Sequence, residues 1–386
     1  MPDEEVQPQV EPINDTVEVP DIPLPVEEVV DAGIVDTFAS AFKIGIIGSG
    51  QGGSRIAEAF WKLGYRRVGI LNTTSQDMAS IQVPEENKLL IGDAGAGKNP
   101  SVASKLAYSK YEDILDFLRR RFKGGCDHIL ICLGAGGGTG AGSVEPLIKI
   151  AGDLNESLGV KKNKVGVVVA LPTQAEGRQV NRNAHDVLNY LLKQAQAGTI
   201  TPLITLDNQR IKEIYPGLSV SLFWSTANRS ITSLFHLFNS IAVQNSPYTT
   251  FDVADFEGIL DAGVITFGAT PVKKWDAAED ISYAIRDNLR RNILAGGLDL
   301  GEGNIAACVV IGSKKVLEEI PQEYLEHGFE QLTRMLGSPS TVHRGIYQGN
   351  KDGLVAYTVI GGLGQPTERI RELGKLAGIE EDETHE

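Results

Sequence analysis

Short apolar runs alternate with stretches of helical period along most of the chain. "FKIGIIG" (42–48), "RRVGILN" (66–72), "NKLLIG" (87–92), residues 128–133, "KVGVVVAL" (164–171) and "TPLITL" (201–206) read as strands. Helical stretches at 52–63, 101–121, about 141–158 and 178–196 separate them. Apolar runs of this length set between helices predict a parallel sheet covered on both faces. Residues 219–243 read as one long helix. Its later part, "ITSLFHLFNSIAV", is apolar on several faces, which predicts burial between two domains. Beyond it come strand 262–268, helix 276–292, strand 304–311, helix 321–336, and strands 341–347 and 354–360 joined by "QGNKDG". The last two read as a hairpin, which makes the second sheet mixed.

Length and charge refine this picture. A chain of 386 residues suggests two or three domains. No apolar run reaches the roughly 18 residues of a membrane span. The N-terminus carries no basic, apolar signal segment, so a cytoplasmic protein is expected. Cys126, Cys132 and Cys308 form neither a ligand pattern nor an even disulfide set and read as buried thiols. The six histidines show no metal-ligand spacing, so no metal-ligating residues are expected. The net charge of −14 belongs to the ends: residues 1–42 hold eleven acids and no Lys or Arg, and "EEDETHE" (380–386) holds five acids. Residues 43–379 carry 34 acids against 36 bases. The Pro- and acid-rich stretch 1–41 is therefore predicted to be a disordered tail. The basic footprint that nucleic acid requires is missing, and neither nucleic-acid nor membrane binding is expected. The tail reads as a solvated spacer, with "IPLPVEEVV" as a candidate docking peptide.

The chemistry lies in loops after the strands, where ligands of open parallel sheets bind. In order they are "GSGQGGS" (48–54), "NTTSQ" (72–76), "GAGKNP" (95–100), "GAGGGTGAGS" (134–143), "PTQAEGR" (172–178) and "LDNQR" (206–210). Glycine-rich loops opening helices present unpaired backbone N–H groups to an anion, and two on neighbouring strands could hold a polyphosphate. "GSGQGG" also fits a dinucleotide fingerprint, which needs an acid after the second strand to hold a ribose. Asn72 and Thr73 stand there instead. "GAGKNP" lacks the Lys-Ser/Thr pair of a P-loop.

"GGGTGAG" (136–142) is similar to the signature motif of the tubulin/FtsZ superfamily. "GAGKNP" resembles that family's third phosphate loop, "AEGR" its ribose loop, "LDNQR" its base loop and "TFDVADF" (250–256) its catalytic loop, all in family order. The match looks nearer FtsZ and its phage and plasmid relatives than eukaryotic tubulin. The resemblance implies an α/β fold: a Rossmann-like GTPase domain with a parallel sheet (42–217), a long central helix (218–246) and a second α/β domain with a mixed sheet (247–365). A C-terminal helix and acidic segment (366–386) follow. It also implies GTP/GDP binding, bound magnesium, hydrolysis to GDP and phosphate, and head-to-tail self-assembly into filaments whose active site is completed by the next subunit. The role would be cell division or phage or plasmid positioning. The short acidic segment after the core, where FtsZ carries a linker and docking peptide, weakens a division role and favours a phage, plasmid or specialised cytoskeletal relative. The acidic ends are candidates for adaptor binding.

Residue by residue, the resemblance implies that Gly136, Gly137, Gly138, Thr139 and Gly140 wrap the phosphates, and that Gly50, Gln51 and Gly52 approach the α and β phosphates. Gly95, Ala96, Gly97 and Asn99 would sense the γ phosphate, and Asn72 and Thr73 join the set. Lys98 is either a counter-charge or a solvated lysine. Glu176 would accept from the ribose, Arg178 would lie near the nucleotide, and Asn208 would pair with the guanine edge. Trp224 and Asn228, four apart on the central helix, would stack on and hydrogen-bond to the base, with Phe223 the alternative stacker. Asp252 and Asp255 would be catalytic, with Thr250 standing where the family has Asn. That departure supports an alternative, a structural filament protein that binds nucleotide with little or no hydrolysis.

Overall fold

A computed structural model describes residues 34–290, 297–337 and 339–379. The N-terminal half supplies six strands: β1 (Ile44–Ser49), β2 (Val68–Asn72), β3 (Lys88–Leu90), β4 (His128–Gly134), β5 (Val165–Leu171) and β6 (Leu203–Asp207). Four follow: β7 (Val264–Val272), β8 (Ile305–Ser313), β9 (Thr341–Gly349) and β10 (Leu354–Leu363). Together they form one sheet in the order β3-β2-β1-β4-β5-β6-β7-β10-β8-β9. The first six pair in parallel. A single register pair, Leu203 with Val264, joins the two halves.

The continuous apolar runs of β1, β4 and β5 are explained by burial on both faces. Ile129, Ile131, Leu133, Val165, Val167 and Val169 point to one core, under helices Gly138–Ser157 and Arg178–Gln196. Leu130, Cys132 and Val168 alternate to the other, shared with helix Gly50–Lys62 and the central helix Val220–Ile241. The central helix is exposed over its first turns and almost wholly buried from Ser230 onward, as the apolar faces of its later part predict.

The expected hairpin is not formed. β9 pairs in parallel with β8, and β10 inserts antiparallel between β7 and β8. "QGNKDG" therefore turns the chain back across the end of β8, so that β10 lies on the far side of β8 instead of beside β9. Burial explains the choice: β10 is apolar on both faces and suits the interior, while β9 ("TVHRGIYQG") alternates in exposure and suits the edge. The sheet is mixed all the same. The stretch 101–121 is two helices, Pro100–Ser109 and Tyr111–Arg121.

Residues 1–33 of the expected acidic tail lie outside the described residues, as does 380–386. The sequence places residues 34–41 in that tail, but the chain holds them in place. The Asp36 carboxylate pairs with Arg67 at 3.2 Å, both side chains being 5% or less exposed. Phe38 packs edge-on against Tyr65 and His236, and the Ala41 N–H donates to the Asn239 carbonyl. The ring contacts of Phe38 and the buried Asp36–Arg67 pair fix the segment despite its acidic composition.

Candidate functional site

A cavity of about 510 Å3 opens at the carboxyl ends of β1, β2, β4, β5 and β6. Its floor is built from two helix beginnings. Helix Gly50–Lys62 follows Ser49, and helix Gly138–Ser157 follows Gly137; neither has a side-chain cap. The first N–H groups of a helix have no partner within it, and its dipole favours negative charge there. Two uncapped N-termini facing one cavity make an anion site. The Ser49 hydroxyl, which could have capped the first helix, is bonded to Ser143 at 2.6 Å instead.

The glycine run reflects close packing as well as ligand access. A Cβ on Gly142 would sit 1.9 Å from the Pro100 carbonyl oxygen, and one on Gly138 3.0 Å from the backbone nitrogens of Lys98 and Asn99. One on Gly137 would meet nothing closer than 3.9 Å. Gly50 has φ +66, the left-handed region that favours glycine. Thr73 and Thr139 join hydroxyls at 2.7 Å, tying the loop after β2 to the glycine loop. The Asn183 amide donates to the carbonyls of Lys98 and Gly136, fixing the third loop beside them.

Of the residues expected from sequence, Gly50, Gln51, Gly52, Thr73, Gly95, Ala96, Gly97 and the run Gly136 to Gly140 line the cavity. So do Glu176, Asn208, Trp224 and Asn228. Lys98 lines it too, at φ +60. Asn72 does not: it is fully buried, and its side-chain oxygen accepts the Thr73 N–H. Asn99 caps helix Pro100–Ser109 through the Ser101 N–H. Arg178, expected near the nucleotide, turns away; its guanidinium donates to the carbonyls of Ala377 and Gly378. Phe223 packs against the core, leaving Trp224 as the aromatic of the cavity. Sequence reasoning missed Arg55, whose guanidinium lies 5.7 Å from the Trp224 ring centroid, and Asp77. Arg55 sits one turn into the first helix, on the same face as Gln51, a spacing that was available to find it.

The side of the cavity at the end of β6 carries an unsatisfied group. Asn208 opens helix Asn208–Ile214, is 6% exposed, and its Oδ1 is buried without a partner among the described residues. A buried acceptor left unmade costs about 1–3 kcal/mol, so the site suits a ligand that brings an N–H there. Asp207, one residue earlier, caps the helix through Gln209 and pairs with Arg369 at 3.0 Å. Burial pushes the Asp207 carboxyl up from its ordinary value, and the Arg369 guanidinium opposes that shift.

Thr250, Asp252 and Asp255 lie elsewhere. Asp252 caps helix Val253–Leu260, accepting the Asp255 N–H at 2.9 Å, while Asp255 accepts the Asp252 N–H at 3.1 Å. The other Asp255 oxygen pairs with His343 Nδ1 at 2.6 Å. The Thr250 hydroxyl accepts from the Ser246 N–H. Phe251 is buried against Phe238 of the central helix, ring centroids 5.7 Å apart. Phe238 is ten residues beyond Asn228, the last residue of the helix to line the cavity, so roughly 15 Å of helix axis separates the carboxylates from the cavity. Asp252 is exposed.

The fold and cavity define a Rossmann-like α/β nucleotide-binding protein with a long central helix. Residues 43–216 match the family described as tubulin/FtsZ family, GTPase domain. It is 25% identical over 312 residues to cell division protein FtsZ 1 of Pyrococcus woesei, covering 79% of this chain and 77% of that one. It is 24% identical over 253 residues to the tubulin-like protein TubZ of Clostridium botulinum C phage, covering 64% and 63%. The fold matches TubZ of Bacillus thuringiensis serovar israelensis, solved as a GTPγS-form protofilament, with a TM-score of 0.77 at 20% identity over 88% of this chain and 93% of that one. No described helix is long and apolar enough to cross a membrane.

Proposed function

We propose that this chain binds GTP in the cavity, assembles head-to-tail with copies of itself, and hydrolyses GTP where two subunits meet. The observation that carries this reading is the roughly 15 Å between an anion-binding cavity and a pair of carboxylates, Asp252 exposed and Asp255 half-buried, set toward opposite ends of the central helix. A single subunit has a site for the phosphates and a site for the attacking water, and cannot bring them together. Stacking one subunit's carboxylate end on the next one's cavity would.

The roles follow from chemistry. The uncapped N-termini of the two glycine-loop helices take the phosphates. Asn208 Oδ1 accepts from the N–H edge of guanine, where adenine offers no N1–H donor; Trp224 supplies a face for stacking. Asp252 orients water toward the γ phosphate. Magnesium, bound with the phosphates, would neutralise charge on them, and Asp77 with the Thr73 and Thr139 hydroxyls are the residues that would hold it. The Thr250 hydroxyl is turned to the Ser246 N–H, an observation that favours the second reading, a nucleotide-binding filament protein with slow turnover.

Mixing tests the shared site. Asp252→Asn filaments should bind GTP and lack turnover. A Gly138→Val subunit should fail to bind GTP yet keep Asp252. Co-assembled mixtures should regain phosphate release, because the second subunit lends its carboxylate to GTP held by the first. Absence of rescue at every ratio in confirmed mixed filaments would refute the shared site. Phosphate release near zero for wild type, with GTP bound, would select the second reading.

A further inference from the structure

The helix Thr367–Ala377 is fastened to the base and ribose sides of the cavity from outside. Arg369 is 4% exposed and its fork meets three acceptors: the Asp207 carboxylate at 3.0 Å, the Glu372 carboxylate at 2.5 Å, and the Pro172 carbonyl. Asp207 directly precedes Asn208, and Pro172 opens the loop that carries Glu176. Glu372 also accepts from the Gln174 side chain. The far end of the helix is gripped as well. Arg178 and Arg182 donate to the Ala377 carbonyl, at the negative end of the helix dipole. The two loops are tied to each other by the Gln174 N–H donating to the Gln209 side chain.

We propose that Arg369 is a positioning residue for nucleotide recognition, setting the base loop (207–209) and the ribose loop (172–176) in register, and that the docking of the C-terminal helix is thereby coupled to occupancy of the cavity. The proposal rests on the reading of the cavity as a guanine-nucleotide site. Its logic is geometric. The planar guanidinium donates to the Glu372 carboxylate and the Pro172 carbonyl and holds the Asp207 carboxylate as an ion pair at 3.0 Å, so the three are set at fixed mutual distance. The acceptors belong to the two loops and to the helix itself. Coupling of this kind is reciprocal: if the fork tightens nucleotide binding by some factor, nucleotide must tighten helix docking by the same factor.

The test uses the full chain and GDP as the probe, so that assembly and turnover do not enter. Amide exchange of the peptide covering 367–377 should slow about 10-fold on saturation with GDP, while helix Gln322–Met335, remote from the cavity, should not change. Arg369→Lys keeps the charge and loses the fork; its GDP affinity should fall about 10-fold, its preference for GDP over ADP should shrink, and the GDP effect on exchange of 367–377 should disappear. A merely structural arginine would lower the melting temperature of the nucleotide-free protein and leave affinity, base preference and GDP-dependent exchange as they were. If Arg369→Lys does not fold, the wild-type exchange experiment still decides, together with Arg178→Met, which loosens the other end of the helix. Failure of wild type to bind GDP would defeat the guanine-nucleotide reading. GDP binding with unchanged exchange of 367–377 would defeat the coupling alone.

Discussion

Three alanines, placed singly in one glycine run, should have three different effects. At Gly142 a Cβ would lie 1.9 Å from the Pro100 carbonyl oxygen and 2.9 Å from the Ala103 Cβ, whereas ordinary contact begins near 3.4 Å. The helices Pro100–Ser109 and Gly138–Ser157 would have to part by about 1.5 Å to restore ordinary contact with the Pro100 oxygen. Overpacking of this kind costs about 3 kcal/mol, and the better helix propensity of alanine returns about 1 kcal/mol. Gly142→Ala should therefore lose about 2 kcal/mol, by the product of its shifted urea midpoint and an unchanged slope. Gly137→Ala meets nothing nearer than 3.9 Å, so its stability should stay within about 0.5 kcal/mol of wild type. Its methyl enters the space at the helix N-terminus, where phosphate would approach, and GDP affinity should fall more than about 10-fold, which is about 1.4 kcal/mol. Gly138→Ala crowds the Ala96 side chain at 2.8 Å and the backbone of Lys98 and Asn99 at 3.0 Å; it should lose both stability and affinity. Gly142→Ala as stable as wild type, or Gly137→Ala binding GDP as tightly, would refute this division between packing and ligand approach.

Three further outcomes follow from other parts of the molecule. Asp252→Asn keeps a good helix cap and should melt with wild type, whereas Asp252→Ala should lose about 1 kcal/mol; both should retain GDP binding and lose phosphate release, and turnover surviving in Asp252→Asn would remove that residue from the chemistry. Burial lowers the His128 and His236 imidazoles to about 4, below the unfolded value near 6.5, so the stability they confer is full above that value and is lost as pH falls toward 4; between pH 6.5 and 5 the protein should lose up to about 2 kcal/mol for each, and a stability flat over that range would contradict their buried, neutral state. Asp36→Ala strands the buried Arg67 and should cost about 3 kcal/mol in urea unfolding, while deletion of residues 1–33 should cost nothing, and equal effects would show that the pair does not anchor the segment.

The cavity was legible because its chemistry is carried by backbone. Glycine runs between strand and helix have few reasons to exist, and Gly50, Gly138 and Gly142 each meet a neighbouring backbone that a side chain would strike. Side-chain roles were less legible where one residue type serves two purposes. Asn99 and Asn72 are polar and sit in the right loops, yet one caps a helix and the other braces a turn. Arg178 carries a charge suited to phosphate, but its nearest acceptors are carbonyls of a helix 199 and 200 positions away in the chain, a contact that local pattern does not encode. The hairpin failed for the same reason. A short Gly-rich connection between two β-prone runs is a local signal, and the pairing was decided by whether each strand had one apolar face or two.

The carboxylate end is built to be rigid in the absence of a partner. Asp252 and Asp255 exchange backbone bonds across the first turn of their helix. His343 holds the remaining oxygen of Asp255 from β9, and the Tyr347 hydroxyl both accepts from the N–H of Phe251 and donates to its carbonyl. The other end of the helix is pinned to the parallel half of the sheet, where the Lys164 ammonium meets Glu257 at 2.9 Å and Asp261 at 2.7 Å. Asp255 is thus committed to holding the loop, and Asp252, exposed and with one oxygen engaged, is the carboxylate left to reach outward. Under the proposed shared site, a loop already fixed in this way would lose little further freedom when a neighbouring subunit arrived, so contact between subunits would have only to supply proximity. His343→Gln should then leave nucleotide binding and assembly intact and lower turnover by loosening Asp255, with a smaller effect than Asp252→Asn. Phosphate release per filament subunit equal to wild type would show that Asp255 needs no such brace, and that the preorganisation argued here lies in the capping turn alone.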